Sequence, residues 1–214
     1  NYNVNWNLIY SIIHFTSSTI MLKEKLKKYN IILGSASPRR KELLAECGFD
    51  FRIETTDKEE SYPLNLSGHE IAEFLAQQKA NFISNNLKNN FLLITADTIV
   101  VHNNRIIHKP KDEKDALNIL TELSAQKHKV ITGACIKTQE KEVVFSTETE
   151  VHFHHLSEEE ISFYITNYKP FDKAGSYGIQ EWIGNIGIEK INGSYNNVVG
   201  LPTAELYQKL KLFI

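Results

Sequence analysis

The feature that most constrains the fold is a short apolar run that leads into a glycine, two serines and a proline. Residues 31–40 read Ile-Ile-Leu-Gly-Ser-Ala-Ser-Pro-Arg-Arg. The apolar run predicts a buried strand, and Ser37 followed by Pro38 is typical of a helix start. A helix N-terminus attracts anions, and Arg39 and Arg40 would add full charges suited to phosphate oxygens. The stretch therefore predicts a phosphate-binding corner, although a plain helix cap with solvated arginines would have the same pattern.

The composition is that of an ordinary globular chain. Of its 214 residues, 42% are hydrophobic and 23% are charged, and the formal net charge is −2. Such a chain can bury a sizeable core, and it has no basic excess for a nucleic-acid surface. We therefore expect no nucleic-acid partner, while a local basic pocket for a small anion remains compatible with this balance. Cys47 and Cys135 fall in a helical and a strand pattern, and we interpret them as buried free thiols of a reducing compartment.

The first twenty residues differ from the rest of the chain. They contain no Lys, Arg, Asp or Glu, and the only methionine, Met21, follows them. They lack the basic region and the small-residue cleavage site of a signal peptide, and the apolar stretch 8–15 is too short to span a bilayer. We predict that residues 1–20 are upstream or added sequence outside the fold and that residues 21–214 form one domain. We also expect no membrane partner and a cytoplasmic protein.

Strand and helix patterns alternate in the first half of the chain. Strands are predicted over 30–34, 49–54 and 91–96, and the last of these is a continuous apolar run typical of a strand buried on both faces. Two long strands then follow one another directly, over 128–138 and 142–153. This order of elements predicts a mixed α/β sheet and not a purely parallel one.

Capping patterns mark where several helices begin. Ser67 and Ser157 each precede a glutamate by three residues, which is the pattern of a capping box. Asp112 starts a third helix with an apolar stripe. Near the C-terminus, the sequence predicts a strand over 186–191 and a loop over 193–202, followed by a last helix.

Asp97 directly follows the apolar run 91–96. A carboxylate at the end of a buried strand is where open α/β sheets place ligand-binding or catalytic groups. Asp97 is therefore predicted to accept a proton from water or to hold a divalent cation, and the alternative is a turn residue satisfied by local backbone N–H groups. The adjacent loop residues Glu59 and Glu60 are candidate ligands for the same cation, or they are simply solvated.

Three lysines lie at or near the ends of predicted elements. Each of Lys79, Lys109 and Lys173 taken alone reads as a surface residue, but together with Arg39 they would neutralise a triphosphate. Gln180 follows a glycine-rich stretch that would let the backbone approach a ligand closely. Its amide group suits the edge of a nucleobase, although a flexible surface loop is the alternative.

His152, His154 and His155 are candidate zinc ligands. In a strand, the first two share a face and the third does not. No cysteine or further histidine stands at ligand spacing, so the sequence disfavours a zinc site here.

Five segments taken in order resemble the Maf family of nucleoside triphosphate pyrophosphatases. They are residues 35–40, 96–100, 109–110, 172–180 and 193–202. The resemblance runs from about Asn30 to the C-terminal helix. It implies a long mixed β-sheet with helices on both sides, two lobes around a central cleft in the manner of inosine triphosphatase (ITPase)-like folds, and a homodimer.

The resemblance also implies an activity, the hydrolysis of a nucleoside triphosphate to the monophosphate and pyrophosphate with Mg²⁺ or Mn²⁺. It gives Asp97 the role of the general base. Arg39, Thr98 and Gln180 correspond to positions that tune substrate choice. The residues at these positions resemble those of the branch that acts on dTTP and UTP. The branch preferring methylated guanosine triphosphate has tryptophan in the Ser-Pro motif and glutamine after the aspartate, where this sequence has Arg39 and Thr98.

The predicted site is thus a triphosphate cleft with assigned roles. The phosphate ligands are predicted to be Ser35, Ser37, Arg40, Lys79, Lys109 and Lys173, and the metal ligands Asp97, Glu59 and Glu60. Three functions stay open: a hydrolase of dTTP and UTP, which could extend to modified pyrimidine nucleotides; a nucleotide-binding regulator of septum formation with little turnover; and a sugar- or nucleotidyl-transferase that needs a second substrate.

Overall fold

The structure, a computed structural model, describes residues 22–58, 61–88 and 90–214. The strands within these residues are β1 (Asn30–Leu33), β2 (Arg52–Ile53), β3 (Phe91–His102), β4 (Arg105–Ile107), β5 (Lys127–Lys137), β6 (Glu142–Phe153) and β7 (Ile188–Asn192). The helices are α1 (residues 22–26), α2 (Pro38–Glu46), α3 (Gly68–Ser84), α4 (Glu113–Leu123), α5 (Glu158–Tyr168), α6 (Trp182–Gly187), α7 (Tyr195–Val199) and α8 (Thr203–Phe213), with a 3-10 turn at Ala174–Ser176. None of the described helices is long and apolar enough to cross a membrane. The predictions for residues 1–20, Glu59 and Glu60 fall outside these ranges.

The strands form one mixed sheet in the order β2-β1-β3-β5-β6-β7, and β4 pairs with β3. β1 runs parallel to β2 and β3, whereas the remaining pairings are antiparallel. The two long consecutive strands β5 and β6 pair along their whole length, and each begins and ends within one residue of its prediction. The predicted mixed α/β sheet is therefore confirmed.

One edge of the central strand β3 changes its partner along the strand. β1 pairs with residues 91–94 and β4 with residues 100–102, while β5 covers the opposite edge from 93 to 101. On the first edge, residues 95–99 have no strand partner in the described part of the chain, and Asp97 lies in this gap. The strand predicted over 91–96 continues through Asp97 to His102, so Asp97 lies within β3 and not at its end. Asp97 is accessible because its neighbouring strand ends there.

Alternate side chains of β3 pack into different cores. Leu93 and Ile99 lie beneath α3 on one face of the sheet. On the other face, Ile94 packs with α2 and α8, whereas Val100 packs with α4 and α5 in a separate core. Val199 is partly buried against both of these cores. This arrangement confirms helices on both sides of the sheet and gives two lobes that flank a cleft.

The predicted helix starts are confirmed. Ser67 and Ser157 accept hydrogen bonds from the backbone N–H groups of Glu70 and Glu160, whose carboxylates bond back to the two cap residues. Asp112 caps α4 through its side chain. These starts were predictable because each depends on residues within one turn of the helix.

Three predictions of local structure are wrong. The strand predicted over 49–54 is only Arg52–Ile53. Trp182–Gly187 is helical, so the next strand begins at Ile188 and not at residue 186. Tyr195–Val199 forms a helix inside the predicted loop. Neither of these helices completes two turns, so neither shows the apolar periodicity from which a helix is predicted.

Candidate functional site

A cleft of about 510 Å³ opens where the edge of β3 lacks a strand partner. Its walls come from the loop after β1, the middle of β3, residues 172–180 and residues 198–200. The structure brings together at this cleft every predicted site residue that it describes: Ser35, Ser37, Arg39, Arg40, Lys79, Asp97, Thr98, Lys109, Lys173 and Gln180. Glu59 and Glu60 lie outside the described residues.

The corner between β1 and α2 is held by its own serines. The Oγ atom of Ser35 accepts a hydrogen bond from the backbone N–H of Ser37 at 3.3 Å, and the Oγ atom of Ser37 accepts one from the N–H of Arg40 at 3.5 Å. The backbone of Gly34 donates to the carbonyl of Ile94 at 2.7 Å, which ties the loop to β3. The positive end of the α2 dipole therefore faces the cleft, as an anion-binding corner requires.

Arg40 connects three parts of the cleft wall. Its Nε donates to the carbonyl oxygen of Gly200 at 2.8 Å, its Nη1 to Ser35 Oγ at 3.3 Å, and its Nη2 to Thr98 Oγ1 at 3.0 Å. A guanidinium group is planar, so these three acceptors together fix the orientation of its plane.

Asp172 lies between two cationic residues of the predicted site. Arg39 Nη1 is 2.9 Å from its Oδ2, and Lys173 Nζ is 2.8 Å from its Oδ1. Burial raises the pKa of Asp172, but the hydrogen bonds from Lys173 and Arg39 outweigh it and hold the pKa at about 2. The ionised carboxylate thus joins α2 to the glycine-rich segment across the cleft.

Lys173 is ordered by a second carboxylate behind the cleft. The lysine is only 8% exposed, and its Nζ is 3.2 Å from Glu181 Oε1. The other carboxylate oxygen of Glu181 accepts a hydrogen bond from the hydroxyl of Tyr164, which itself accepts one from the N–H of Gly178 at 3.0 Å. Burial and the neighbouring Glu181 raise the pKa of Tyr164, so the hydroxyl remains a donor.

Asp97 is ion-paired with Lys79 of α3, and both side chains are 14% exposed. Two contacts fix α3 on the sheet here. The hydroxyl of Thr95 donates to the carbonyl oxygen of Ala76 at 2.6 Å. Gly133, which lies opposite Asp97 in β5, allows close approach of the helix, because a Cβ there would be 2.1 Å from a carbonyl oxygen of α3. The helix is therefore close enough for its lysine to reach the carboxylate.

The remaining wall combines exposed polar groups with an apolar surface. Lys109 and Gln180 are both exposed at the cleft. Val100, Val130 and Val198 line the cleft as well. Such a wall suits the flat apolar face of a base, with polar groups at its edge.

The carboxylates of the cleft suit a hard cation that is shared with a ligand. Within the described ranges, no three His, Cys, Asp or Glu side chains are arranged to hold a metal ion. His152, one of the candidate zinc ligands, instead has its Nε2 atom 2.7 Å from Glu150 Oε1. Mg²⁺ at nucleotide sites takes one or two carboxylates, phosphate oxygens and waters. Asp97 fits that kind of site, and an all-protein metal cage does not fit the described residues.

Several cleft residues escaped prediction. Thr55 and Thr56 line the cleft, yet they stand in a polar loop without a distinguishing pattern. Asp172 and Glu181 each hold Lys173. The two carboxylates flank the glycine-rich segment in the sequence. Their position near Lys173, a predicted phosphate ligand, could have indicated that they pair with it.

Cationic side chains around carboxylates, a helix N-terminus and an apolar wall together make a cleft suited to a nucleoside polyphosphate. Comparison with protein-family models agrees with this class of site. Residues 30–213 match the model described as Maf-like protein. The chain belongs to the Maf family.

Relatives align with this chain over nearly their whole length. A dTTP/UTP pyrophosphatase of Flavobacterium johnsoniae is 49% identical over 194 residues, which are 91% of this chain and 100% of that protein. A dTTP/UTP pyrophosphatase of Phocaeicola vulgatus is 51% identical over 189 residues, 88% of this chain and 98% of that one. Among solved structures, a nucleoside-triphosphatase (dITP/XTP pyrophosphatase) of Mycobacterium abscessus covers 86% of this chain and 96% of its own, at 12% identity and a TM-score of 0.42, a likeness too weak to support a conclusion.

Proposed function

We propose that this protein hydrolyses dTTP and UTP to the nucleoside monophosphate and pyrophosphate, with modified pyrimidine nucleotides as further candidate substrates. Relatives that align over nearly their full length carry the name of this activity. The observation that carries the proposal is that Asp97, paired with Lys79, lies in the same cleft as Arg39, Arg40 and Lys173. A candidate base and phosphate-binding cations thus converge.

The phosphates bind at the corner between β1 and α2 in this proposal. The α2 dipole and the guanidinium of Arg40 favour negative charge there. The proposed phosphate ligands are Ser35, Ser37, Arg40, Lys79, Lys109 and Lys173, with Arg39 beside them at the mouth. Asp172 is paired with Arg39 and Lys173, and in this proposal it gives them up to the phosphates.

Asp97 acts as the general base. It accepts the proton of the water that attacks the α-phosphorus. The bond from the α-phosphorus to the bridging oxygen breaks, and the cations of the cleft stabilise the pyrophosphate that leaves with that oxygen. Lys79 balances the charge of the carboxylate and holds it in place. A general base of this kind contributes roughly 10²- to 10⁴-fold to the rate.

Asp97 would also hold a divalent cation, Mg²⁺ or Mn²⁺, with Glu59 or Glu60 as further ligands. A bound cation neutralises phosphate charge and lowers the pKa of water. The arginine corner and Lys173, which line the same cleft, would orient the nucleotide.

The base of the nucleotide lies on the apolar wall of the cleft. Gln180 offers a donor and an acceptor to the edge of a pyrimidine with a keto oxygen, which describes thymine and uracil. Thr98 and Arg39 complete the set of residues proposed to set substrate choice.

The proposal extends to the organisation of the protein. Residues 21–214 form one two-lobed domain, which is supported by the packing of Leu22 and Leu26 into the same core as α8. Two such chains form a homodimer, a proposal that rests on the family resemblance and that sedimentation of the purified protein would test. A reducing cytoplasm suits the free cysteines Cys47 and Cys135.

The test is pyrophosphate release from the purified protein with Mg²⁺ and a panel of dTTP, UTP, dCTP, dATP and dGTP. We expect equal amounts of monophosphate and pyrophosphate, with the highest kcat/KM for dTTP and UTP, and loss of turnover in EDTA. Nucleotide binding without release would favour the regulator of septum formation. Product only after addition of a sugar phosphate or a second nucleotide would favour the transferase.

A further inference from the structure

The hydroxyl of Thr98, a residue proposed to set substrate choice, is already engaged within the protein. Thr98 Oγ1 accepts a hydrogen bond from Arg40 Nη2 at 3.0 Å and lies 2.9 Å from Thr132 Oγ1. Thr132 is in β5, opposite Thr98 in the register, and is fully buried. The Thr98 hydroxyl is therefore hydrogen-bonded both to Arg40 and to Thr132.

The direction of the protons along this chain of groups is fixed. Thr132 Oγ1 is 2.9 Å from the backbone carbonyl oxygen of Asn197, which can only accept. A hydroxyl carries a single proton, so the proton of Thr132 points to Asn197 and the proton of Thr98 must point to Thr132. Hydrogen bonds then run in one direction, from Arg40 through both threonines to the Asn197 carbonyl. In this arrangement one proton lies between Thr98 and Thr132, and another lies between Thr132 and the Asn197 carbonyl.

The far end of the chain is anchored in the core. The Asn197 side chain is fully buried, and its Nδ2 donates to the carbonyl of Val130 and to Thr149 Oγ1, both at 3.0 Å. The Asn197 carbonyl lies in the last turn of the five-residue helix α7, where carbonyl groups lack partners within the helix. Thr132 satisfies this carbonyl, and its position is set by two strands of the sheet.

The same segment also holds Arg40 directly. The Nε of Arg40 donates to the carbonyl of Gly200 at 2.8 Å, three residues beyond Asn197. The guanidinium plane is thus oriented from two points of residues 197–200, once through Gly200 and once through the two threonines. Loss of the threonine path would remove one of the three acceptors that fix the plane, while Gly200 and Ser35 would keep theirs.

We propose that Thr132 is a positioning residue for Arg40 and that it acts through the hydroxyl of Thr98. The inference rests on the proposed triphosphate hydrolysis and on a role for Arg40 at the phosphates. Thr132 has no exposed surface, so a nucleotide in the cleft meets it through Arg40.

Thr132→Val tests this inference, since valine has nearly the shape of threonine and lacks the hydroxyl. We expect kcat/KM for dTTP to fall roughly ten- to hundredfold, the range typical of a misplaced catalytic or binding group. Thr132→Ser restores the hydroxyl and should recover most of the activity. Thr98→Val breaks the chain one step closer to Arg40, so it should lower kcat/KM for dTTP at least as much as Thr132→Val does. It carries the test if Thr132→Val does not fold.

Thr138→Val is the matched control. Thr138 follows β5, is also buried, and its hydroxyl also donates to a backbone carbonyl, but that carbonyl belongs to Lys141 in the turn before β6. The control should lower the melting temperature as Thr132→Val does, because each removes a buried hydroxyl that both donates and accepts hydrogen bonds. It should leave kcat/KM within about twofold of the wild type, since neither Arg40 nor the cleft is involved.

A double-mutant cycle with Arg40→Lys separates positioning from general damage. Lysine keeps the charge but cannot reach three acceptors at once. In that background, Thr132→Val should change kcat/KM by less than about twofold. An undiminished loss in that background, or full activity of Thr132→Val in the wild-type background, would overturn the inference. Failure of the proposed function looks different, because the wild-type protein would then release no pyrophosphate.

Discussion

The carboxylate of Asp97 on β3 and the ammonium group of Lys79 on α3 form a largely buried ion pair at the gap in the sheet edge. Lys79 Nζ also lies 3.5 Å from the carbonyl of Ala96. Because α3 is fixed by the close approach at Gly133, the pair has a defined geometry before substrate arrives. A divalent cation that binds Asp97 would therefore have to compete with, or share the carboxylate with, Lys79.

Asp172→Asn should strengthen the binding of pyrophosphate. The Asp172 carboxylate occupies the point where Arg39 and Lys173 converge, so it competes with a ligand phosphate for both. The side chain is 59% exposed, and we expect only a roughly two- to fivefold lower inhibition constant of pyrophosphate in dTTP hydrolysis. Glu189→Gln, on an exposed position of β7, removes one charge away from the cleft and is the control. Weaker inhibition in Asp172→Asn would show that the carboxylate orients the two cations and does not compete for them.

Tyr164→Phe should destabilise the glycine-rich segment. The fully buried Tyr164 hydroxyl accepts from the Gly178 N–H and donates to Glu181, and phenylalanine leaves both without that partner. We expect a loss of about 1–3 kcal/mol in the free energy of unfolding, measured in urea, and a higher KM for dTTP. Tyr168→Phe changes a ring that stacks on Tyr164 at 5.1 Å and is 38% exposed, so it should have little effect. Equal stability of the two variants would contradict this account.

The stability of the protein should fall as the pH falls below 6.5, because of His128. Burial, with smaller contributions from His102 and His152, lowers the pKa of His128 from 6.5 to about 3. Between these values the unfolded chain binds a proton that the folded chain does not, so the free energy of unfolding decreases by up to about 1.4 kcal/mol per pH unit. His128 Nε2 is 2.7 Å from the Tyr177 hydroxyl, and His128→Gln keeps a polar partner there without titrating. Urea unfolding at pH 7 and pH 5 should show a smaller loss in His128→Gln, and equal losses would contradict the prediction.

The features that could be predicted from the sequence are those that depend on residues adjacent along the chain. The cap at Ser37 and the apolar run before Asp97 each depend on a few adjacent residues, and the structure has both. The partners of the cleft residues could not be predicted, since Arg39 and Asp172 are 133 positions apart. Their pairing depends on how the two lobes pack, for which a single sequence has no local pattern.

The missed helix α6 has a physical reason of its own. Gly184 within it is a poor helix former, so the sequence does not indicate a helix here. In the structure, a Cβ at Gly184 would be 1.8 Å from the carbonyl oxygen of Ile179. The glycine is therefore required by a close backbone contact that forms only in the folded chain. Tertiary packing here outweighs helix propensity.

The central claim is that Asp97 is the base of a dTTP/UTP pyrophosphatase, and Asp97→Asn tests it most directly. The amide has nearly the size of the carboxylate but cannot accept the proton of water, so kcat for dTTP should fall roughly 10²- to 10⁴-fold. The measurement pairs pyrophosphate release with calorimetric titration of dTTP into the variant in Mg²⁺. We predict that turnover falls by this factor while dTTP still binds with an affinity close to that of the wild type. Near-normal pyrophosphate release by Asp97→Asn would contradict the account.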